Sequence, residues 1–263
     1  MFVENLSGKN MNVEQKLVDF AVSIAKEAGE LTLSLFNDVD LEIIKKSDGS
    51  PVNQADRVAE SLLRKRISDS FPEDSIIGEE EENVVGSSGR TWTLDPIDGT
   101  QSFINGVPLF ANLVAFEDEN GSAVGVINLP AIDECIWAGR GLGCFANGKK
   151  VHVSNTETLD GCCVVTSGVD YWNSLSFFES LSESETTVRT WGDAYGYALV
   201  ATGRVDAMVD PIVNPWDVAP MLTIIPEAGG VFTDFKNVET ANGGNALASN
   251  PALHALLINL VND

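Results

Sequence analysis

Apolar residues in the first part of the chain recur at intervals of three and four. Over residues 13–35 this spacing predicts an amphipathic helix with one buried face. A strand is predicted over residues 39–44, and the Gly-Ser-Pro sequence at residues 49–51 marks a turn. Asn53 is a candidate N-cap for a second helix, whose apolar positions between residues 58 and 67 are predicted to face inward.

Short apolar runs separated by turn residues predict the strands of the next part. One strand covers residues 75–78 and runs into four consecutive glutamates, and another covers residues 92–94 and ends at Asp95 and Asp98. Further strands are predicted over residues 109–116, 123–129, 135–138 and 151–153. Because Asn-Gly and Leu-Pro turn signals separate these runs, we expect an antiparallel meander.

After about residue 155 the pattern changes to alternating strands and helices. Strands are predicted over residues 162–166, 188–191, 205–209, 231–235 and 246–249. Helices are predicted over residues 171–181, 194–202 and 215–228, and from Pro251 onward. Pro220 and Pro226 lie inside the third of these helices and predict a kink or an early end. The change of pattern predicts two layered subdomains, residues 1–155 and residues 156–263, that share an interface.

The stretch from Asp95 to Thr100 carries the most suggestive chemistry. Two carboxylates at the mouth of a strand suit a hard cation, which prefers oxygen ligands. Gly99, which opens onto a helix start, suits an anion, because free backbone N–H groups point outward there. A cation site beside an anion site indicates metal-assisted phosphate chemistry. The alternative is an ordinary turn, in which Asp and Gly serve only turn propensity.

Two further carboxylates are candidates with simpler alternatives. Glu79 begins the acidic run that follows a buried strand, so it could lie at the strand end, near Asp95 of the next strand. An acidic run is otherwise a solvated loop. Asp56 lies in the first turn of the second predicted helix, where stabilising the helix dipole is the alternative role.

The composition narrows the classes of function. The chain has 263 residues and a net charge of -23, so it should repel nucleic acids and anionic membranes. It contains no apolar run of about 18 residues, so no membrane span is expected. Its beginning lacks a basic region followed by an apolar run, and we expect a cytoplasmic location without a signal peptide.

The cysteines and histidines do not form a recognisable site. The chain has four cysteines without a C-x-x-C pair, and the neighbours Cys162 and Cys163 would point to opposite faces of a strand. We therefore expect reduced, buried cysteines. The two histidines, His152 and His254, lack ligand-like spacing, so a zinc site or a Ser-His-Asp triad has little support.

Four sequence blocks together resemble the inositol monophosphatase superfamily. They are Gly-Glu-Glu at residues 78–80, Asp-Pro-Ile-Asp-Gly-Thr at 95–100, Trp-Asp at 216–217 and Glu-Ala-Gly-Gly at 227–230. The resemblance covers nearly the whole chain. It implies an α/β (α+β) fold, a layered α-β-α-β-α sandwich, that usually forms a homodimer. It also implies Mg2+-dependent, often lithium-sensitive hydrolysis of small phosphate monoesters.

The resemblance assigns roles to individual residues. The implied metal ligands are Glu79, Asp95, the carbonyl of Ile97, Asp98 and Asp217. Thr100 and Asp56, together with the metal ligand Glu79, match the catalytic residues that orient and deprotonate the attacking water. The Gly99–Thr100 backbone matches the phosphate-binding turn. Two or three Mg2+ ions are implied, with Mn2+ as a possible substitute. Most of these ligands fall in the first subdomain, and the second completes the site and the substrate pocket.

Three further segments resemble the histidinol-phosphate phosphatase branch of the superfamily. They are residues 46–52, 107–110 and 191–203. In that branch acidic residues face the ammonium and imidazole of the substrate, and Asp193 and Asp210 occupy matching positions. The alternative for Asp193 is to cap the following helix.

The chain departs from the branch at Trp216, where a tyrosine is common, at Asn214, where a basic residue is common, and at Asp210, where the family often has a glutamate. Substrate alternatives are therefore an inositol-1-phosphate or a broad sugar-phosphate phosphatase. A nucleotide 3'-phosphatase is disfavoured because it calls for a more basic pocket. A catalytically silent metal- or phosphate-binding regulator on the same fold is the alternative from another class.

Overall fold

The computed structural model describes residues 12–38, 43–45 and 51–262 of the chain. Its helices are α1 (Gln15–Leu35), α2 (Gln54–Ser70), α3 (Thr100–Ile104), α4 (Ser176–Ser182), α5 (Asp193–Ala201), α6 (Pro215–Val218), α7 (Met221–Glu227) and α8 (Pro251–Asn262). Its first nine strands are β1 (Ile43–Lys45), β2 (Pro51–Asn53), β3 (Ser75–Gly78), β4 (Thr91–Asp98), β5 (Ala111–Asp118), β6 (Gly121–Leu129), β7 (Glu134–Gly139), β8 (Gly143–Ala146) and β9 (Lys149–Lys150). The other strands are β10 (Cys163–Val165), β11 (Thr187–Arg189), β12 (Ala207–Asp210), β13 (Val231–Thr233) and β14 (Ala246–Ser249). Within the described ranges, we find no helix with both the length and the apolar character that a membrane crossing requires.

The larger sheet has seven strands in the order β3-β4-β5-β6-β7-β8-β9. Strands β3 and β4 are parallel, and each later pair is antiparallel, which confirms the predicted meander. Successive side chains point to opposite faces of a strand, so each strand of this sheet supplies two layers. Val114 and Val126 belong to the cluster that contains the buried faces of α1 and α2. Their neighbours Leu113 and Ile127 belong to the cluster that contains residues of α5 and α7.

The smaller sheet has five strands in the order β11-β10-β12-β14-β13. Its first three strands are parallel, and β14 runs antiparallel to both of its neighbours. Met208 and Phe232 share the buried cluster of α5 and α7, so this cluster joins the two sheets. Val209 and Leu247 pack with residues of α4 and α8 on the outer face. The layers are therefore helices, large sheet, helices, small sheet and helices, which confirms the predicted α-β-α-β-α sandwich.

Proline decides where the helical segment near residue 220 breaks. Instead of one helix over residues 215–228, α6 ends at Val218 and α7 begins after Pro220. Pro220 cannot donate a backbone hydrogen bond to α6, and its fixed φ suits the start of a new helix. The early end predicted at Pro220 is confirmed, whereas Pro226 is accommodated within α7.

Several predicted boundaries are wrong. Strand β4 continues to Asp98 through an irregularity in its pairing with β5, so the two aspartates lie in the strand instead of beyond it. Residues 151–153 are not a strand, although Val151 and Val153 pack against the core and His152 is exposed. Residues 172–175 are not helical, and α4 covers only the end of the predicted segment. Strand β8 is a further strand that the apolar pattern did not reveal.

The inward face of α2 is also more polar than predicted. Leu63 and Ile67 are buried, but Val58 and Leu62 are only half-buried, and Glu60 and Arg64 are buried instead. Of the predicted strand over residues 39–44, only the end is described, as part of β1. The segment 46–50, on which part of the branch resemblance rests, lies outside the described residues.

Candidate metal centre and active site

The parallel pairing of β3 with β4 brings the first carboxylates together. Gly78, the last residue of β3, pairs with Leu94 in β4. In a parallel pair the following residues also lie side by side, so Glu79 is placed next to Asp95. The negative charge of Glu79 is accordingly one cause of the raised pKa of Asp95. This confirms the predicted proximity of the two carboxylates.

A tight turn at the end of β4 orients the next groups. Asp95 Oδ1 accepts a hydrogen bond of 3.0 Å from the N–H of Ile97. Thr100 Oγ1 donates one of 3.2 Å to the Ile97 carbonyl oxygen. Gly99 adopts the left-handed conformation with φ +79, and an added Cβ would lie 3.2 Å from Asp193 Oδ2. The backbone conformation favours glycine at this position, and the close approach of Asp193 leaves little room for a side chain.

Asp217 reaches the same place from a distant part of the chain. It lies in α6 in a capping box, in which its Oδ2 accepts a hydrogen bond of 2.7 Å from the N–H of Asn214. Pro215 at the first helical position fixes the start of α6. Asp95, Asp98 and Asp217 each offer an oxygen within 4.8 Å of the others. These three carboxylates form a triad with the spacing of a shared cation site.

The electrostatics of the triad match a cation site. Burial, followed by the charges of Glu79, Asp98, Asp217 and Asp56, raises the pKa of Asp95 well above its ordinary value of 3.8. Burial and the charges of Asp193 and Asp217 do the same to the pKa of Asp98. Burial raises the pKa of Asp217 to about 7.

Clustered, desolvated carboxylates are unfavourable by themselves, and a divalent cation would remove most of this cost. The donor set consists of hard oxygens without nitrogen or sulfur, as Mg2+ prefers. The residues therefore fit a divalent metal ion.

A cavity of about 480 Å³ opens beside the triad. Glu79, Ile97, Gly99, Thr100 and Asp193 also line it. A smaller cavity of about 170 Å³ shares Asp98, Asp193 and Asp217 with the first and extends to Tyr197 and Asp210. The two cavities together provide room for the phosphate and the alcohol part of a small ester.

Volume alone does not identify the site. A hollow of about 540 Å³ lies elsewhere and is lined in part by Phe20, Phe71 and Phe116. Among the described residues, however, the carboxylates with cation-site spacing are those of the triad. The chemistry of the lining therefore identifies the cavity of about 480 Å³ beside the triad as the candidate site, although the apolar hollow is larger.

Asp193 does not act as the helix cap that was its alternative role. The N-cap of α5 is Gly192, and Asp193 is the first helical residue, with φ +53. The N–H of the next residue, Ala194, donates to Asp98 Oδ2 at 2.5 Å. The start of α5 thus stabilises a triad carboxylate, while Asp193 turns its own carboxylate toward Gly99.

Asp210 is bound firmly by the protein. Its Oδ1 accepts the N–H of Ser167 at 2.8 Å, and its Oδ2 accepts the hydroxyls of Ser167 at 3.1 Å and Tyr197 at 3.2 Å. Thr166 adds a long contact of 3.5 Å. Ser167 Oγ also accepts the N–H of Asp193 at 2.8 Å. Ser167 therefore links the two predicted substrate-binding aspartates, a role that the sequence did not reveal.

Comparison with known proteins agrees with this geometry. The family model described as "Inositol monophosphatase family" matches residues 13–263. The chain belongs to the inositol monophosphatase family. It is 41% identical to a histidinol-phosphatase of Chlorobaculum parvum, over 88% of this chain and 91% of that protein. It is 37% identical to a histidinol-phosphatase of Mycobacterium tuberculosis, over 92% and 96% of the two chains.

A solved structure shows the same family fold. An IMPase from Thermotoga maritima superposes with a TM-score of 0.84 at 33% identity, over 95% of this chain and 97% of that one. Membership in the inositol monophosphatase family makes this chain a metal-dependent phosphatase of phosphate monoesters, with Asp95, Asp98 and Asp217 as its acidic metal-binding triad. The choice of ester and of ion depends on the residues around the triad.

Most of the predicted family residues meet at the cavity. Those that line it are Glu79, Asp95, Ile97, Asp98, Gly99, Thr100, Asp193 and Asp217. Asp210 lies at the adjoining cavity. Asp56 is fully buried in the first turn of α2, and its charge contributes to the raised pKa of Asp95, so it lies behind the site.

Sequence reasoning missed Ser167 and Tyr171, which line both cavities. Ser167 follows β10 closely in the chain, and the carboxyl ends of parallel strands are a common position for binding residues. That rule was a usable signal for Ser167. Tyr171 ends a short 3-10 helix (Val169–Tyr171) instead of beginning the predicted helix, so its position was not predictable.

Proposed function

We propose that this phosphatase is a Mg2+-dependent histidinol-phosphate phosphatase, which converts L-histidinol phosphate and water to L-histidinol and phosphate. The observation that carries the proposal is the acidic lining beyond the triad, where Asp193 lies against the Gly99 turn. Among the described residues that line the two cavities there is no lysine or arginine. The similarity to two histidinol-phosphatases supports the same choice.

The position of Asp193 suits the chemistry of this substrate. A carboxylate beside a phosphate-binding turn repels a phosphate ester whose alcohol is neutral. In L-histidinol phosphate, however, the ammonium group lies on the carbon next to the ester methylene, close to the phosphate. Asp193 would pair with that ammonium while Gly99 and Thr100 bind the phosphate.

The far end of the substrate has an aromatic partner. Tyr171 is 42% exposed and lines both cavities. Burial, then the charges of Asp193, Asp170, Asp210 and Asp217, raises the pKa of Tyr171, so the side chain lies near these carboxylates. An imidazolium or imidazole ring would stack on it favourably. Direct pairing of Asp210 with the imidazole stays a prediction, since its oxygens already accept hydrogen bonds from Ser167 and Tyr197.

For the reaction, we assign the residues as the family resemblance implies. Glu79, Asp95, Asp98, Asp217 and the Ile97 carbonyl would hold two or three divalent ions. When bound, Mg2+ would supply a water of lowered pKa and neutralise negative charge on the phosphate, and Mn2+ is expected to substitute.

Proton removal would fall to Thr100 and Asp56. Thr100 Oγ1 accepts the proton of the attacking water and passes its own to the buried carboxylate of Asp56. In this structure the hydroxyl donates to the Ile97 carbonyl, so the relay requires a rotation about χ1 or the O–H bond. Such a rotation between staggered positions is inexpensive compared with the chemical step.

The experiment is a panel of phosphate monoesters, assayed with and without Mg2+ by release of inorganic phosphate. The panel contains L-histidinol phosphate, inositol 1-phosphate, several sugar phosphates and adenosine 3',5'-bisphosphate. We expect L-histidinol phosphate to give the highest kcat/KM and no turnover without metal. An Asp98→Asn preparation, purified in the same way, controls for contaminating phosphatases. A clearly higher kcat/KM for another ester would overturn the substrate assignment.

The second candidate is an inositol-1-phosphate or broad sugar-phosphate phosphatase. It is favoured by the open cavity of about 480 Å³ and by the likeness to the Thermotoga maritima IMPase. A catalytically silent regulator would bind Mg2+ yet release phosphate from no ester in the panel. The intact set of metal-binding and catalytic candidates argues against it, because a silent descendant is expected to have lost one or more of Glu79, Asp95, Asp98, Thr100 and Asp217.

We further propose a homodimer, as the family resemblance implies. Sedimentation equilibrium over a range of protein concentrations measures the assembly state directly, and a single monomeric species would contradict it.

A further inference from the structure

One face of α2 carries three ionisable residues at intervals of four. Asp56, Glu60 and Arg64 are all buried, although charged side chains seldom are. Residues four apart lie one above the other on a helix, so these three form a single stripe. The stripe begins at Asp56, the carboxylate proposed to receive a proton in the reaction. The residues below Asp56 have no role in that reaction as described so far.

Glu60 holds the N–H groups of the acidic loop that follows Glu79. Its Oε2 accepts the N–H of Glu80 at 2.8 Å, and its Oε1 accepts the N–H of Glu81 at 3.0 Å. The same Oε1 is paired with Arg64 Nε at 2.7 Å. A buried carboxylate is tolerated when it is paired and hydrogen-bonded in this way.

Arg64 holds the carbonyl groups of the same loop. Its two terminal nitrogens donate to the carbonyl oxygens of Glu81 at 3.0 Å and Glu82 at 3.1 Å. The planar guanidinium can serve Glu60 and both carbonyls at once, which a lysine cannot. One helix therefore binds both the N–H groups and the carbonyl groups of the loop, through Glu60 and Arg64.

The loop approaches α2 so closely that Gly78 has no room for a side chain. An added Cβ would lie 2.6 Å from Glu60 Cδ and 2.7 Å from Arg64 Nη2. Ser61 reinforces the contact by donating to Glu81 Oε1 at 2.5 Å. Glu79 is therefore flanked by a glycine and a backbone segment that are both pressed against α2.

We propose that Glu60 and Arg64 are positioning residues for Glu79. Glu79 lies beside Asp95, and the two like charges repel each other. A free loop would let Glu79 swing away from the triad, whereas the clamp of Glu60 and Arg64 holds its backbone in place before any cation binds. Because Asp56 belongs to the same stripe, α2 keeps Glu79 and Asp56 in a constant relation around Asp95, whose pKa both of their charges raise.

This inference rests on the proposed roles of Glu79 and Asp56 but not on the identity of the ester. The simpler possibility is that the buried pair only stabilises the fold. Outer partners that orient metal ligands typically contribute about 10–100-fold to metal affinity or activity. A purely structural pair would change the melting temperature and leave the Mg2+ affinity of the folded protein unaltered. Mg2+ affinity is therefore the decisive quantity.

The experiment compares Glu60→Gln and Arg64→Lys with a matched control pair, Glu27→Gln and Arg66→Lys. Arg66 lies on the same helix and forms an ion pair with Glu27 that faces away from the loop. Mg2+ binding is measured by titration calorimetry without substrate, and folding by circular dichroism. We expect Mg2+ affinity to fall by about tenfold or more in the first two variants and to stay unchanged in the controls. At saturating Mg2+, KM for the best ester should change little.

A double-mutant cycle shows whether the effect passes through Glu79. In a Glu79→Gln background, Glu60→Gln should weaken Mg2+ binding little further, because coupled residues are not additive. Fully additive effects, or unchanged affinity in both clamp variants, would overturn the proposal. If Glu60→Gln does not fold, Arg64→Lys and the surface change Ser61→Ala carry the same test.

Weakened Mg2+ binding with no hydrolysis of any ester would refute the proposed function but leave the positioning role intact.

Discussion

The triad and Asp210 are both acidic sites that are largely removed from solvent, but the hydrogen bonding of their carboxylate oxygens differs. Within the described residues, Asp95 and Asp98 each accept one hydrogen bond, and burial and neighbouring negative charges raise the pKa of both. Asp210 has both oxygens occupied, with Ser167 and Tyr197 as its main partners. The difference teaches that burial and a raised pKa alone do not mark a metal ligand. A metal ligand is marked by a carboxylate oxygen that is not already used in hydrogen bonds and that lies close to the oxygens of other carboxylates.

The largest effect is expected from Asp98→Asn. Asparagine can still accept the N–H of Ala194 through its one carbonyl oxygen, so the fold should persist. The loss of a ligand charge should lower kcat/KM more than about 100-fold, since even outer partners of metal ligands contribute about 10–100-fold. Phosphate release at saturating Mg2+ measures it. If the variant keeps more than a tenth of the activity, Asp98 is not an essential metal ligand, and the contrast between the triad and Asp210 fails.

The second prediction concerns Asp210, both of whose oxygens accept hydrogen bonds. Asp210→Asn replaces one accepting oxygen by a donor, so a hydroxyl of Ser167 or Tyr197 must reorient or lose its acceptor. The free energy of unfolding should fall by about 1–3 kcal/mol. Urea denaturation measures this change. Mg2+ affinity from calorimetry should remain that of the unaltered protein, and a large loss of affinity would place Asp210 with the triad instead.

The third prediction uses pH to separate the two sites. Burial raises the pKa of both Asp217 and Asp210 from 3.8 to about 7. An acid whose pKa is raised on folding stabilises the protein below its unfolded pKa, and this stability is lost as pH rises through the folded pKa. Without metal, the melting temperature should therefore fall between about pH 4 and pH 7.

Mg2+ distinguishes the contributions of Asp217 and Asp210. Metal binding requires the ionised carboxylate, so saturating Mg2+ should remove the part of the pH dependence due to Asp217 and leave that of Asp210. The matched variants Asp217→Asn and Asp210→Asn, measured by calorimetry with EDTA or with Mg2+, assign each part. A pH dependence that is identical with and without Mg2+ would contradict this assignment.

The smallest effect is expected at Asp193, which is only half-buried. Asp193→Asn should raise KM for L-histidinol phosphate by about two- to fivefold, because a partly solvated ion pair contributes up to about 1 kcal/mol. KM for inositol 1-phosphate should not rise, since that ester has no ammonium group to lose its partner. Equal increases for both esters would indicate a general distortion of the Gly99 turn instead of charge recognition.

Much of the fold was predictable from local pattern. The long helix α1, the strand β3, the meander and the break at Pro220 follow from periodicity, turn residues and the geometry of proline. The errors occurred where tertiary contacts override local preference. Residues 151–153 alternate like a strand because Val151 and Val153 pack inward, but the segment leaves the sheet after Val151 donates its N–H to the Cys144 carbonyl of β8.

The candidate ligands were also predictable, because four specific blocks carry them. The proximity of Glu79 to Asp95 followed from two short strands ending in carboxylates, and the parallel pairing of β3 and β4 confirms it. The boundary near residue 155 stays a prediction, although the larger sheet is built before it and the smaller one after it.

The sequence by itself determined which residues bear the chemistry, since residue type decides whether a side chain can bind a cation. Only the tertiary structure decided how those residues are held. It brings Asp217 next to Asp95 and Asp98. It places Ser167 where its N–H donates to Asp210. It also packs Glu60 and Arg64 against the loop that follows Glu79. These contacts join residues far apart in the chain, and such pairings depend on how the layers pack. No local pattern records that packing.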